Sequence, residues 1–358
     1  MARLFGRSYS RNELMRRTGN ADQFGGVRLS RLEDGKAHDV LVADFRTGSG
    51  LSFTVAPGRG MDIVHSDYCG IPLCWRSSTG DVASEYAEPE EFGWLQGFFG
   101  GLVATCGLTY AGAPCVDEGK PLGLHGRVSN IPATNVLADT AWEGDELLMW
   151  CQGKVREASV FGPNIVLSRR VSAKLGEKRL FINDVVANEG HETQPHMLIY
   201  HINIGYPAVS EDSVFMAPSA RQTPRDEPSV RALDRCFGFE APEDGVPEQL
   251  FRHDMVAGPD GRVLTAIVNK TLNFGVYLRH RLDQLPVYSQ WKMCASGHYV
   301  CGMEPANCEV TGRARARQEG KLQFLQPGEA RSYDLELGVV SGADEVAQIE
   351  SEIRATKG

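Results

Sequence analysis

Short apolar segments rich in β-branched or aromatic residues, each closed by Gly, Pro, Asn or Asp, recur along most of the chain. Segments of that length and composition read as β-strands. They are His38–Phe45, Leu51–Val55, Leu147–Val155, Asn164–Ala173, Leu180–Asn188, Met197–Ile204, Val263–Asn269, Phe274–Arg279 and Tyr333–Val340. Turn sequences separate them, among them Thr47-Gly-Ser-Gly50, Glu143-Gly-Asp145, Gly176-Glu-Lys178, Gly258-Pro-Asp-Gly261 and Gln326-Pro-Gly-Glu329. Helical periodicity is confined to the two ends. Ser10 followed by Glu13 makes a capping-box pattern, which predicts a short helix over about 10–19. Asp344–Thr356 reads as a closing helix with Asp344 as its N-cap. The pattern predicts an all-β protein of large antiparallel sheets, forming one domain over 1–358. Pro218–Pro247, rich in Pro, Asp, Glu and Arg, reads as a long loop of that domain, because candidate site residues fall on both sides of it.

Composition narrows the function classes. With 42% apolar and 23% charged residues, the chain can bury a core. The 37 basic and 46 acidic residues give a net charge of −9, which argues against nucleic acid or an anionic membrane as partner. No apolar run approaches the roughly 20 residues of a spanning helix. The basic N-terminus has no apolar stretch behind it, so no secretory signal is expected. Nine cysteines without a CxxC pair read as reduced, buried thiols, which fits a cytoplasmic protein.

Five segments place ionisable residues in apolar or glycine-rich surroundings. In Ala56-Pro-Gly-Arg-Gly-Met-Asp-Ile63, two glycines flank Arg59, whose planar fork suits ligand hydroxyls or a carboxylate. An Arg59–Asp62 contact shaping the turn is the more frequent use of such a pair. Trp94–Leu108 is glycine-dense and apolar, yet has neither P-loop nor GxGxxG spacing. Its Cys106 reads as a small buried thiol before a nucleophile. Gly123-Leu-His-Gly-Arg-Val-Ser-Asn130 offers His125 and Arg127 on tight backbone, with a satisfied structural histidine equally in play.

The fourth segment, Pro195–Gly205, is apolar on both faces and predicts a strand deep in the fold. Met197, Ile199, His201 and Asn203 share one face, while His196, Leu198, Tyr200 and Ile202 share the other. His196 and His201 therefore cannot pair on a metal, and His201 is the better candidate for chemistry. The fifth, Tyr299–Asn307, ends an apolar run on Glu304 just before Pro305, which is expected to stop the strand. A carboxyl walled in this way has a raised pKa suited to acid–base work, unless a cation such as Lys292 pairs with it.

Taken together, GWLQGFFGGLVATCGL, GLHGRVSN, HMLIYHINIGYP and GMEPANC resemble the galactose-mutarotase (aldose 1-epimerase) superfamily, in an aldose epimerase-like branch, over nearly the whole chain. The resemblance implies a β-supersandwich with a sugar cleft on a concave face. It implies His201 as general acid, Glu304 as base, His125 as the LHG histidine and Arg59 as a holder of substrate hydroxyls. The segment around His201 departs from the family's NHxYFNL, with Tyr200 before the histidine and Ile202-Asn203-Ile204 after it. The family's further acidic ligand to the sugar has no clear match.

The expected chemistry is ring opening and reclosure at the anomeric carbon of a monosaccharide or derivative. Glu304 takes the anomeric proton, His201 protonates the ring oxygen, and His125 and Arg59 orient the sugar. Arg127, Asn203 and Lys292 are further candidate substrate contacts, and Trp94, Phe99 or Trp291 could stack on the sugar. Neither metal nor redox cofactor is called for, and the expected partner is a small carbohydrate. Other readings are a catalytically silent carbohydrate binder, an epimerase of a keto sugar or sugar phosphate, and a histidine–carboxylate metalloenzyme, which the absence of HxH spacing disfavours.

Overall fold

The computed structural model describes residues 1–357. Three antiparallel sheets dominate it. Eight strands form the largest, in the order Thr134–Glu143, Glu146–Ala158, Asn164–Lys174, Arg179–Asn188, Ala330–Ser341, Phe274–Arg281, Arg262–Asn269 and Ser213–Met216. The second runs Ser219–Pro224, Gln249–Met255, Val287–Ala295, His298–Ala306, Gln194–Gly205 and Gln323–Leu325, with Ala104–Leu108 also paired to Gln194–Gly205. A five-stranded sheet spans Gly26–Pro72. The all-β fold of large antiparallel sheets expected from the closely spaced strand segments is therefore present.

Alternation does the local work. Along Glu146–Ala158, Leu147, Met149, Cys151 and Val155 turn into the core with Gly153 in step, while Leu148, Trp150, Gln152 and Lys154 between them are partly or fully exposed. Gly144 and Asp145 form the two-residue loop that reverses the chain into this strand, and Gly144 supplies the left-handed φ of +62° such a turn needs. The closing helix, Ala343–Lys357, lays Val346, Ile349 and Ile353 on Leu264, Ala266, Val268 and Val340 of the large sheet. It begins one residue before Asp344, which lies in its first turn and is not its cap.

Other boundaries also differ from the sequence pattern. The helix capped by Ser10 has both capping-box bonds but spans only Arg11–Met15. Pro218–Pro247 contains the edge strand Ser219–Pro224 and the helix Glu227–Arg231, capped by Asp226. Pro305 does not stop its strand, which continues to Ala306.

Strand Gln194–Gly205 ties the layers together. It is buried from His196 to Gly205, and Ile199 pairs with Ala306 on one edge and Cys106 on the other. Its inner face sends the Tyr200 hydroxyl to Asp184, which also takes a bidentate pair from Arg169. Arg169 reaches on to Asp62 at 3.2 Å and Thr105 at 2.8 Å. This fully buried cluster joins the large sheet to the layer beneath the site. Isolated, such charges could not be buried; here the donors and acceptors converge. His196 is satisfied by Tyr333 and the Leu108 carbonyl, a structural histidine.

Candidate active site

The opposite face of that strand presents His201. Pairing of Ile199 with Ala306 and Ile202 with Met303 sets His201 directly across from Glu304. The missing N–H of Pro305 falls in this interval of the ladder. His201 Nε2 and Glu304 Oε1 stand 3.2 Å apart, without the alignment of a hydrogen bond, so Oε1 has no directed donor. Both residues are nearly inaccessible, at 5% and 1% exposure. Burial pushes the Glu304 carboxyl up to about 8, helped by the Glu248 charge, and pushes the His201 imidazole down to about 4.

Two features hold the pair. Asn203, two residues along the same face, accepts from His201 Nδ1 at 2.5 Å and donates to the carbonyls of Gly100, Gly101 and His201. Gly302, beside Glu304 on its strand, leaves room for the carboxyl: a Cβ there would lie 2.5 Å from Glu304 Oε1 and 3.0 Å from Trp291 Cβ. Gly302→Ala should therefore push the carboxyl aside. A roughly 10²-fold loss of turnover with unchanged circular dichroism is expected, since small misplacements at a reacting group have effects of that size. Undiminished turnover would show that the glycine has no such role.

His125 completes the constellation. Its ring lies 5.7 Å from that of His201 and 4.8 Å from that of Trp94, and its Nδ1 is buried without a partner. The residue has a left-handed φ of 58°, a strain that clusters at functional sites. Burial, with His201 adding to it, pushes its pKa down to about 3, so it is neutral. These three residues line a cleft of about 270 Å³, at the lower end of small-ligand sites, which start near about 300 Å³. Trp94, Phe98, Leu124, Leu250 and Trp291 are among its apolar walls. A larger hollow of about 650 Å³ lies between the N-terminal strands and the closing helix. It holds none of the candidate residues, and its charges pair with one another, as Arg279 does with Glu352 at 2.8 Å.

Four proposed substrate contacts need correction. Arg59 is buried and does not line the cleft; its guanidinium donates to the carbonyls of Ser129, Val82 and Gly97 and to Asn130. It locks three loops together, and the expected Arg59–Asp62 contact that shapes the turn is made by the backbone, the Asp62 N–H donating to the Arg59 carbonyl at 3.1 Å. Lys292 sits on the face of its strand opposite Trp291, its Nζ 2.7 Å from Glu240. Arg127 is exposed and outside the walls. Asn203 holds His201 and is not itself among the cleft residues. Of the aromatics, Trp94 and Trp291 line the cleft, but Phe98 takes the place expected of Phe99, stacking on Trp94 at 4.5 Å.

The sequence reading missed Arg225 and Glu248. Both line the cleft, Arg225 from within the stretch read as a loop and Glu248 from just past its end. Glu248 accepts from Arg225 at 2.7 Å and from Trp291 Nε1 at 2.9 Å, and Arg225 is also bonded to Asp226. The available signal was a charge at each end of a Pro-rich segment, Arg225-Asp226 and Glu248, next to strands. Cys106 is fully buried, and burial raises its thiol well above the usual range, so it is no nucleophile at neutral pH. All nine cysteines are unpaired. Among the described residues, no helix is long and apolar enough to cross a membrane, and no three His, Cys, Asp or Glu side chains are grouped to hold a metal.

Known proteins share this architecture. A candidate aldose 1-epimerase from Klebsiella pneumoniae subsp. pneumoniae is 25% identical, superposes with a TM-score of 0.90, and is matched over 95% of this chain and 91% of its own. A galactose mutarotase-like protein from Clostridium acetobutylicum (13% identity, TM-score 0.61, 89% and 100% covered) shares the fold. So does a galactose 1-epimerase from Lactobacillus acidophilus NCFM (9% identity, TM-score 0.59, 89% and 100% covered). No curated protein matches the sequence. The family model described as a domain of unknown function, DUF4432, matches residues 37–339. On that match the chain belongs to the DUF4432 family, and its neighbours give it the galactose mutarotase-like fold.

Proposed function

We propose that the protein is an aldose 1-epimerase-like isomerase that interconverts the anomers of a monosaccharide by acid–base catalysis. One observation carries this reading: an imidazole and a carboxyl 3.2 Å apart, both buried, on the wall of a small apolar cleft with a second imidazole beside them. The anomeric hydroxyl and the ring oxygen are bonded to the same carbon. One group can therefore take the hydroxyl proton while the other protonates the ring oxygen. The ring opens to a carbonyl, the C1–C2 bond turns, and closure on the other face returns both protons. His125, neutral and 5.7 Å from the His201 ring, is positioned to hydrogen-bond a sugar hydroxyl. Trp94 and Trp291 offer flat apolar surface to the sugar's C–H face.

The test is anomer exchange followed by NMR across free aldohexoses, aldopentoses and deoxy sugars. The protein should accelerate exchange for at least one of them. His201→Asn should lower kcat/KM by about 10²–10⁴-fold, the range for loss of a general acid or base, with the fold intact. Sugar binding with exchange at the spontaneous rate would replace this reading with that of a silent carbohydrate binder.

A further inference from the structure

We infer that His201 enters the reaction as the proton acceptor and Glu304 as the donor, the reverse of the roles that family resemblance implies, and that Asn203 fixes this polarity. The inference deepens the acid–base reading of the same cleft.

The Asn203 amide has one possible orientation. Its Nδ2 faces the carbonyl oxygens of Gly100 at 3.2 Å, Gly101 at 3.2 Å and His201 at 3.0 Å. A flipped amide would set its own oxygen against all three. Oδ1 must then face His201 Nδ1, and a contact of 2.5 Å there requires a proton on that nitrogen. In the neutral ring this leaves Nε2 as a bare lone pair, 3.2 Å from Glu304 Oε1.

The surroundings of Glu304 settle the other half. The charged or titratable groups around it are His201, Cys106, Glu248, Arg225, Tyr288 and Cys301, with His125 across the cleft. Arg225 is the sole cation among them, and it is bonded to Asp226 and Glu248. No donor among the described residues is directed at Oε1. An ionised carboxylate in such a place would lack the hydrogen bonds and counter-charge that make burial of a charge tolerable. A carboxylic acid carries no charge to bury, and an acceptor, His201 Nε2, stands 3.2 Å from Oε1, short of hydrogen-bond alignment in the sugar-free cleft. Burial acts on both partners in the same sense, raising the carboxyl and lowering the imidazole.

The proton balance closes over one cycle. Nε2 takes the proton of the anomeric hydroxyl as the C1–O5 bond breaks, and O5 takes the Glu304 proton. An imidazolium–carboxylate pair then faces the open-chain sugar. On reclosure the carboxylate recovers the O5 proton and the imidazolium returns its own to the anomeric oxygen. The charge pair exists only while the ring is open, so the dry walls favour prompt reclosure.

Kinetic pH profiles do not separate the two polarities, because both hold one proton on the pair. The test is ¹⁵N NMR of the sugar-free, full-length protein with labelled histidine, at pH 6.5. We expect His201, identified by the resonances lost in His201→Asn, to show a protonated Nδ1 and a bare Nε2. Infrared difference spectra should show a carboxylic-acid C=O band that is absent in Glu304→Gln. Asn203→Asp, which places an anion on Nδ1, should move His201 toward the doubly protonated ring. Asn203→Leu should lower kcat about 10–100-fold with little change in KM, the usual size of losing a group that orients a functional histidine. A His201 ring protonated on both nitrogens in the wild type, or spectra of Asn203→Asp identical to wild type, overturns the assignment. Both spectra are recorded without sugar. Failure to turn over any sugar would therefore sink the functional reading without touching this result.

Discussion

Glu304→Gln is expected to abolish anomer exchange and, in the same protein, to raise its stability in alkali. The two effects share one cause. Burial holds the Glu304 carboxyl at about 8, against 4.5 for the free group. A raised folded pKa contributes stability that is complete below the unfolded value and is lost as pH rises through the folded one. Wild type should therefore weaken progressively between pH 4.5 and 8, and beyond that carry a buried charge with no directed donor on Oε1. Glutamine keeps the shape and removes the charge. At pH 9 the variant should be more stable than wild type by on the order of a few kcal/mol, read as a higher melting temperature, and the two should converge near pH 4.5. Wild-type turnover should fall as pH rises through about 8, where the donor proton is lost. Thermal melts at both pH values, read beside NMR exchange rates, make the check. A variant that is less stable than wild type at pH 9, or still active, would refute this account.

Mild acid is expected to unfold the protein. His196, His201, His253 and His280 are each no more than 5% exposed, and burial pushes them to about 4, 4, 4 and 3. His125 shifts in the same direction. A lowered folded pKa contributes stability that is full above the unfolded value of 6.5 and drains away as pH falls toward the folded one. At pH 5.5 each such histidine favours the unfolded chain by about 1.4 kcal/mol, and four together by about 6 kcal/mol. That rivals the whole stability of an ordinary domain, about 5–15 kcal/mol. Circular dichroism along a pH titration should show a cooperative transition near pH 5. His280 makes the clearest probe, because both of its ring nitrogens lack partners. His280→Leu should shift the transition to lower pH, and a fold that persists unchanged to pH 4 would count against the mechanism.

Strands were easy to read because their period is local. Leu147, Met149 and Cys151 announce a half-buried strand wherever the rest of the chain goes. The face shared by His201 and Asn203 followed from the same parity. The same parity would have prevented one error: if Trp291 lines the cleft, Lys292 must face the other way. Arg59 misled for a different reason. Its donors are met by the carbonyls of Val82, Gly97 and Ser129, between 23 and 70 residues distant, and composition carries no trace of such closure. Arg225 and Glu248 were hidden because a Pro-rich, charged stretch gives no periodic signal, although it begins as an edge strand. At Pro305 the rule for central strands fails because the missing N–H falls where the ladder opens beside His201 and Glu304.

The strand that carries His201 is buried on both faces and paired on both edges around Ile199. Its backbone amides sit where solvent isotope can enter only through global opening of the molecule. His201 is thus built into a strand enclosed on every side, while Phe92, Leu95, Arg225 and Glu248 belong to less enclosed segments at the rim. Divergence toward a new ligand can proceed by altering those outer residues alone, leaving His201 and Glu304 untouched.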